Sequence, residues 1–301
     1  MKRFDDFDAW AEAVNGAHLT LACDHVEDRV WTLGVVDLGG VLLQVASEGG
    51  GNLCYGGNTH PGTTLFVPIT HAAEHVANGV PLDDDSLLAI ARGGDFTIRL
   101  RRRPHSWCSI ALPADFDAGL DPTMPSGRVL CPPGTVRSLR RVVATVSAGL
   151  LDADGGSPAH EAAGRQLLEA ARACLAGPVA PKRAATGRPR IDRITIVRRA
   201  MEAIETAAML PTAADLAREV AVTDRTLLRA FHETFGLPPK RYLMLRQLHR
   251  IHRALKAGAD GAGTVADVLA RHGVWEFGRF AGRYRGHFGE LPSETLQRAR
   301  A

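Results

Sequence analysis

The chain has 301 residues, 45% of them hydrophobic and 23% charged, a globular composition on a length that one ordinary domain does not accommodate. No run of 18 apolar residues offers a membrane span, and the N-terminus leads into no apolar secretory segment. The net charge of +3 hides an asymmetry: residues 1–180 carry 14 Lys/Arg against 21 Asp/Glu, residues 191–301 carry 18 against 12, and only the second part suits a polyanion.

Five scattered cysteines, Cys23, Cys54, Cys108, Cys131 and Cys174, never form a CxxC pair. That usage points to a reducing cytoplasm and away from a disulfide framework or structural zinc. Residues 30–112 read as strands. Segments 30–33, 35–38, 41–46, 63–69, 87–91 and 96–100 are short and rich in β-branched residues. Glycines at 39–40, 49–51, 56–57 and 93–94, with Asn78-Gly79, sit where hairpin turns need positive φ. Strands at this spacing predict a small barrel or sandwich. Trp31, Tyr55 and Trp107 are candidates to line an effector pocket, core packing explaining them equally well.

Within this stretch His71-Ala72-Ala73-Glu74-His75 matches the H-x-x-E-H zinc-protease pattern. Zinc geometry there needs an α-helix, and the space between segment 63–69 and the Asn78-Gly79 turn is too short for one. The rival reading from another class is a metal-dependent cupin-type enzyme in the front domain. It requires clustered ligands, typically His-x-His with a carboxylate, and the front domain has no His-x-His. His60 and His105 read as structural histidines. Gly49-Gly50-Gly51 lacks the lysine and following helix of a phosphate-binding loop. Neither a metal nor another cofactor is called for.

From Thr135 the periodicity changes. Val136, Leu139, Val143, Val146 and Leu150 share one helical face. A second helix opens with Ser157 as N-cap and Pro158 at its first position, and Gly177 is its stop. The expected front domain, 1–176, is therefore a β-barrel for effector binding or dimerisation with a helical hairpin, whose apolar stripe is expected to pair two chains. Residues 177–190, with three prolines, two glycines and four positive charges, form a linker.

Beyond the linker everything reads as helix. Ile194, Val197, Met201 and Ile204 form one stripe, and Thr212…Asp215 and Thr264…Asp267 are capping boxes. Residues 239–256 make one helix of about 27 Å at 1.5 Å per residue. The region also repeats. Thr212, Asp215, Leu216 and Ala221 recur 52 residues later as Thr264, Asp267, Val268 and Gly273. Thr223, Leu227, Phe231, Phe235, Gly236 and Pro239 recur 53 residues later as Glu276, Phe280, Tyr284, Phe288, Gly289 and Pro292. Each unit is a short capped helix, a tight turn and a second helix ended by glycine, the helix-turn-helix plan. Two helical hairpins are also what plain packing units look like. Three features favour DNA: the basic surroundings, the arginines at the start of each second helix, and a connecting helix near the length of one DNA turn, about 34 Å.

Leu216-Ala217, Thr223 to Phe231 and Phe235 to Leu243 resemble the first half of an AraC/XylS-type DNA-binding domain. Arg246 to Ile251 resembles its linker-helix signature, and Gly273 to Phe280, Tyr284 and Phe288 to Ser293 resemble its second half. The resemblance covers about residues 191–301, and the nearest subgroup is the ethanolamine-operon-regulator-like one. The front part more faintly resembles the cupin-like domains found before this module. Together these resemblances imply an α+β chain of two domains, 1–176 and 191–301, acting as a cytoplasmic, non-enzymatic regulator of transcription. Double-stranded DNA is its implied partner, bound as a homodimer and away from membranes, with a small-molecule effector and RNA polymerase as further candidate partners.

Base-reading candidates are Arg225, Leu228 and Arg229 in the first unit and Phe277, Gly278 and Arg279 in the second; arginines bond guanine bidentately and apolar side chains meet thymine methyls. Thr223, Lys240 and Arg241 are candidate phosphate contacts. The chain departs from the family pattern at Ala221, where glycine is usual, at Leu269, where a small residue is preferred, and at Gly278 and Gly282, which occupy reader positions.

Overall fold

The computed structural model describes residues 1–301 apart from 102, 118, 120–124, 151–156, 178–192, 259–262 and 301. The expected linker, but for Gly177, lies outside the described residues. The chain divides into two compact units, residues 1–21 with 27–190 and residues 22–26 with 191–301.

The first part of the chain runs β1 (Lys2–Phe4), α1 (Phe7–Ala13), β2 (Ala17–Val26), β3 (Trp31–Asp37), β4 (Leu42–Glu48) and β5 (Gly50–Asn58). It continues through β6 (Thr64–Pro68), β7 (Val76–Ala77), β8 (Val80–Pro81), β9 (Ser86–Ile90), β10 (Asp95–Leu100), β11 (His105–Ala111) and β12 (Ser126–Leu130). Two helices come next, α2 (Thr135–Leu150) and α3 (Pro158–Leu175). The strands form a seven-stranded sheet, β1-β3-β4-β11-β6-β9-β12, and a five-stranded one, β2-β5-β10-β7-β8. Hydrogen bonding leaves these as two open sheets, so the expected closed barrel is replaced by a two-sheet arrangement within an α+β chain.

Side-chain alternation along the larger sheet sets what each face does. Leu43 and Val45 of β4, Leu65 and Val67 of β6, and Cys108 and Ile110 of β11 join Val136, Leu139, Val143 and Val146 of α2 and Leu167, Ala171 and Cys174 of α3 in one core. The residues between them, Gln44, Phe66, Trp107 and Ser109, face a cavity whose other wall includes Asn52 and Cys54 of β5 and Phe96 and Ile98 of β10. Both faces of the sheet are thus buried, which is why β9 is buried at every position.

The stripe on α2 therefore has its partner inside its own unit. Its four valine and leucine positions from 136 to 146 are at most 3% exposed, while Arg137, Arg141, Ala144, Thr145 and Ala148 face outward. The expectation that this stripe pairs two chains is corrected: burying it against the sheet removes its apolar area from water without a second copy. The N-terminal cap of α3 is the one read from sequence, with the Ser157 side chain accepting from the His160 amide and Pro158 in the first turn, while the C-cap is Ala176, one residue before the expected stop at Gly177.

The glycines fall into two groups. Gly39, Gly40, Gly79 and Gly93 have positive φ in turns, as expected. Gly50, Gly51, Gly56 and Gly57 instead lie within β5. A Cβ on Gly56 would stand 2.6 Å from Leu19 Cδ2 and 2.9 Å from His18 O, and one on Gly49 only 1.8 Å from Asp28 O. Gly49 and Gly56 permit close approach of backbone rather than reversal of the chain. Segments 30–33 and 35–38, expected as two strands, are one, β3.

The second unit contains α4 (Arg193–Thr206), α5 (Ala213–Glu219), α6 (Asp224–Phe235), α7 (Pro239–Lys256), α8 (Val265–Arg271), α9 (Phe277–Phe288) and α10 (Pro292–Arg300). None of the described helices is long and apolar enough to cross a membrane. Truncating the α2 stripe should cost what a core deletion costs: Leu139→Ala is expected to destabilise the first unit by about 2–5 kcal/mol in denaturant unfolding followed by circular dichroism. A loss below about 0.5 kcal/mol, the range of ordinary surface substitutions, would show that the stripe is not core.

Candidate nucleic-acid interface

The sequence repeat continues into backbone geometry. Helices α5 and α8 each have 7 residues, and α6 and α9 each have 12. Both short helices open with a complete capping box, Thr212 with Asp215 and Thr264 with Asp267. Both second helices end on a left-handed glycine, Gly236 at φ 69° and Gly289 at φ 75°. Even the inter-helix turns agree, with Ala221 at φ 55° and Gly273 at φ 71°. Ala221 occupies the left-handed region that glycine enters freely, so the departure from the family's glycine leaves the conformation intact and adds strain.

Helix α7 supplies core to both units. Tyr242 near its start stacks on Phe235 at 4.7 Å and meets Phe231 edge-on at 5.6 Å, both rings belonging to α6. Leu248, Ile251 and Leu255 nearer its end join Val268, Leu269, Phe280, Tyr284, Phe288 and Leu296 in a second cluster. His252 stacks on Phe288 at 4.1 Å, and its Nδ1 lies 2.6 Å from the Tyr284 hydroxyl, which is itself 2.8 Å from Thr295 Oγ1. This buried chain ties α9 to α7 and α10. Leu269, another of the departures from the family pattern, is buried in the same cluster.

With the inner faces occupied, the outer faces of α6 and α9 carry the residues singled out from sequence. Arg225, Leu228 and Arg229 are all exposed on α6, Leu228 by 46%, with the two arginines one turn apart. Arg229 Nε donates to Glu233 Oε1 at 2.9 Å. An exposed pair of this kind contributes at most about 1 kcal/mol and gives way to a stronger acceptor. Thr223 caps α6, its Oγ1 accepting from the Thr226 amide. Lys240 and Arg241 are exposed in the first turn of α7, where the helix dipole favours an anion.

On α9, Phe277 is 39% exposed, Gly278 and Arg279 are also outward, and Arg279 donates to Glu276 Oε1 at 2.9 Å. A Cβ at Gly278, Gly282 or Gly286 would meet nothing within 4 Å, so these glycines leave the outer surface of the helix bare without serving packing. Two further outward residues escaped the sequence reading. Arg283 lies exposed one turn after Arg279, repeating the spacing of Arg225 and Arg229 but displaced by one residue. The arginine spacing of four was the available signal. Trp275, in the turn before α9, is 74% exposed; a tryptophan in an aromatic-rich repeat reads as core until its neighbours are placed.

The remaining motifs resolve in the first unit. Ala72–Glu74 of the H-x-x-E-H stretch form a single 3-10 turn with His71 left-handed at φ 53°, so the two histidines do not lie on one α-helical face. Of the three aromatics considered for a pocket, Trp107 lines the cavity between the sheets, whereas Trp31 and Tyr55 are buried outside its lining. His105 is buried beside Glu48, and His60 Nδ1 accepts from the Gly62 amide.

A helix-turn-helix domain model matches residues 216–298. A probable thc operon regulatory protein of Rhodococcus erythropolis is 35% identical over 103 residues, 34% of this chain and 31% of that protein. The XylDLEGF operon transcriptional activator of Pseudomonas putida is 33% identical over 85 residues, 28% of this chain and 26% of that protein. The chain thus matches about a third or less of the length of these curated relatives. Among solved structures, a probable AraC family transcriptional regulator from Rhodopseudomonas palustris is 36% identical, with 35% of this chain and 98% of that one covered and a TM-score of 0.33.

The turn of the first helix-turn-helix makes a stability prediction. A left-handed alanine costs about 1–2 kcal/mol, and glycine's extra unfolded-state entropy returns about 0.5–1 kcal/mol of that. Ala221→Gly should therefore stabilise the C-terminal unit by about 0.5–1 kcal/mol in thermal or denaturant unfolding. Destabilisation would show that the turn does not hold Ala221 at positive φ.

Proposed function

The chain belongs, through its C-terminal third, to the AraC/XylS family of transcription regulators, and from that premise we propose that it binds specific DNA sites by placing α6 and α9 in two successive major grooves. The supporting observation is the duplicated helix pair, alike in length, caps and turn, with long basic side chains outward on each second helix and one helix, α7, shared by both cores.

The two units divide the work. Arg225 and Arg229 reach guanine edges from α6, and Leu228 meets thymine methyls. Helix α9 offers Phe277 to methyl groups and presses its bare Gly278 surface close to the groove, while Arg279 positions the helix. Thr223, Lys240 and Arg241 hold phosphates. The front unit, cupin-like in our reading, is the sensor: its inter-sheet cavity takes a small-molecule effector that adjusts DNA binding. Two chains pair on the operator through a surface other than the α2 stripe, and RNA polymerase is the recipient of the regulatory signal.

Binding of the full chain to a selected site should weaken steeply with salt as phosphate counterions are released. Arg229→Ala is expected to cost about 1–3 kcal/mol and to relax base preference at one or two positions in a binding-site selection. Arg279→Ala should weaken binding more evenly across sequences. If Arg279→Ala erases a base preference while Arg229→Ala leaves the selected motif unchanged, the roles are reversed.

A further inference from the structure

The cavity between the sheets is mostly apolar but contains an acidic centre. Its volume is about 80 Å³, and its walls include Leu19, Phe66, Phe96, Ile98 and Trp107. Glu48 and Asn52 also line it. The Glu48 side chain is only 2% exposed. Its placement follows from strand register: as the last residue of β4 it has the parity of Gln44, which points inward, and it stands directly opposite His105 of β11.

One carboxylate oxygen carries the hydrogen bonds. Glu48 Oε1 accepts from Trp107 Nε1 at 2.6 Å and Asn52 Nδ2 at 3.2 Å, and lies 3.3 Å from His105 Nε2. Glu48 Oε2 and Asn52 Oδ1 are buried with no hydrogen-bond partner among the described residues. Buried acceptors left without a donor cost about 1–3 kcal/mol each, and these two stand on hydrogen-bonded neighbours at a cavity wall. The other polar side chains there are engaged: Gln44 Nε2 donates to Asn15 O and Ser109 Oγ, Asn58 Nδ2 donates to Gly62 O, and Asn58 Oδ1 accepts from Thr64 Oγ1. No lysine or arginine is among the described residues lining the cavity. His105 is the single basic group there, and Glu48 already faces it. Burial works to lower the His105 pKa, but the neighbouring Glu48 carboxylate together with backbone hydrogen bonds at Arg103 and Gly50 raises it overall.

We infer that this cavity binds a small, predominantly apolar amine as its ammonium ion, the N–H groups filling Glu48 Oε2 and Asn52 Oδ1 and the apolar body packing on the surrounding leucine, isoleucine and aromatic side chains. The inference rests on the sensor role assigned above to the first unit and specifies the chemistry of that site. A charged donor on a buried carboxylate makes a stronger hydrogen bond than a neutral one, and the same carboxylate repels an anionic ligand. Apolar carboxylates of equal size are therefore excluded, and alcohols bind more weakly.

The test uses the full chain and three probes of similar size, benzylamine, benzyl alcohol and benzoate. Binding is followed by calorimetry and by the fluorescence of Trp10 and Trp107, both of which line the cavity. Benzylamine is expected to bind at least tenfold more tightly than benzyl alcohol, with benzoate not binding. Glu48→Gln should reduce benzylamine affinity at least tenfold while narrowing its margin over the alcohol. Should that variant fail to fold, the comparison of the three probes on the unaltered protein still decides. Benzoate or benzyl alcohol binding as tightly as benzylamine overturns the proposal, as does no binding by any of the three. DNA affinity measured on the same preparation separates the two readings: intact DNA binding without amine binding rejects the ligand class alone, and amine binding without DNA binding rejects the regulator.

Discussion

The C-terminal unit depends on the burial of α7 from both ends. Tyr242 is locked into the Phe231–Phe235 aromatic cluster, and thirteen residues later Leu255 is locked into the cluster that holds Phe280 and Phe288. Neither small helical hairpin has enough apolar surface to stand alone. By contributing opposite ends of one rigid rod to two cores, α7 makes each hairpin a condition for the other's packing. The ion pair between buried Arg246 and exposed Glu205 and the bond from Arg250 to Ile204 O fasten the middle of the rod to α4. The separation of α6 from α9 is then a property of helix length rather than of a flexible connection.

On that frame the two units have diverged where they face outward and stayed alike where they face inward. Positions that pack, such as Leu227 and Phe280 or Phe231 and Tyr284, remain large and apolar. At the outward positions Arg225 and Arg229 of the first unit correspond to Gly278 and Gly282 of the second. Removing side chains from a reader helix removes hydrogen-bond donors and, at the same time, the bulk that keeps a backbone from the groove. Arg279 and Arg283 place charge one residue around the helix from where the first unit places it, a difference of about 100° in direction at 3.6 residues per turn. Under the DNA binding proposed above, divergence of this kind favours discrimination by one unit and grip by the other.

The second unit was almost wholly legible from its sequence because its information is local. Capping boxes, terminal glycines and the 3.6-residue period each act within a few residues, and the repeat supplied an internal check. The first unit was legible where its structure is local, as in α2, α3, the glycine turns and the strand segments 41–46, 63–69, 87–91 and 96–100, which are β4, β6, β9 and β10. Strand β5 was hidden because its glycines look like turns until distant parts of the chain are brought close, as Leu19 is against Gly56. Likewise the α2 stripe was correctly identified as apolar, but its partner, the inner face of a sheet assembled from residues 43 to 110, is non-local. Period-two alternation marks Glu48 as an inward position. That it meets His105 and Trp107 depends on the pairing of β4 with β11, which joins segments far apart in the chain.

In the function proposed above, one chain reads two grooves through helices spaced by α7. Methylation interference at guanine N7 on a selected site measures it most directly, because N7 lies in the major groove. Two windows of interference on one face of the duplex, about one helical turn or 10–10.5 base pairs apart for each bound chain, are predicted. A single window per chain, or two at a spacing that varies from site to site, would contradict a rigid pair of reader helices.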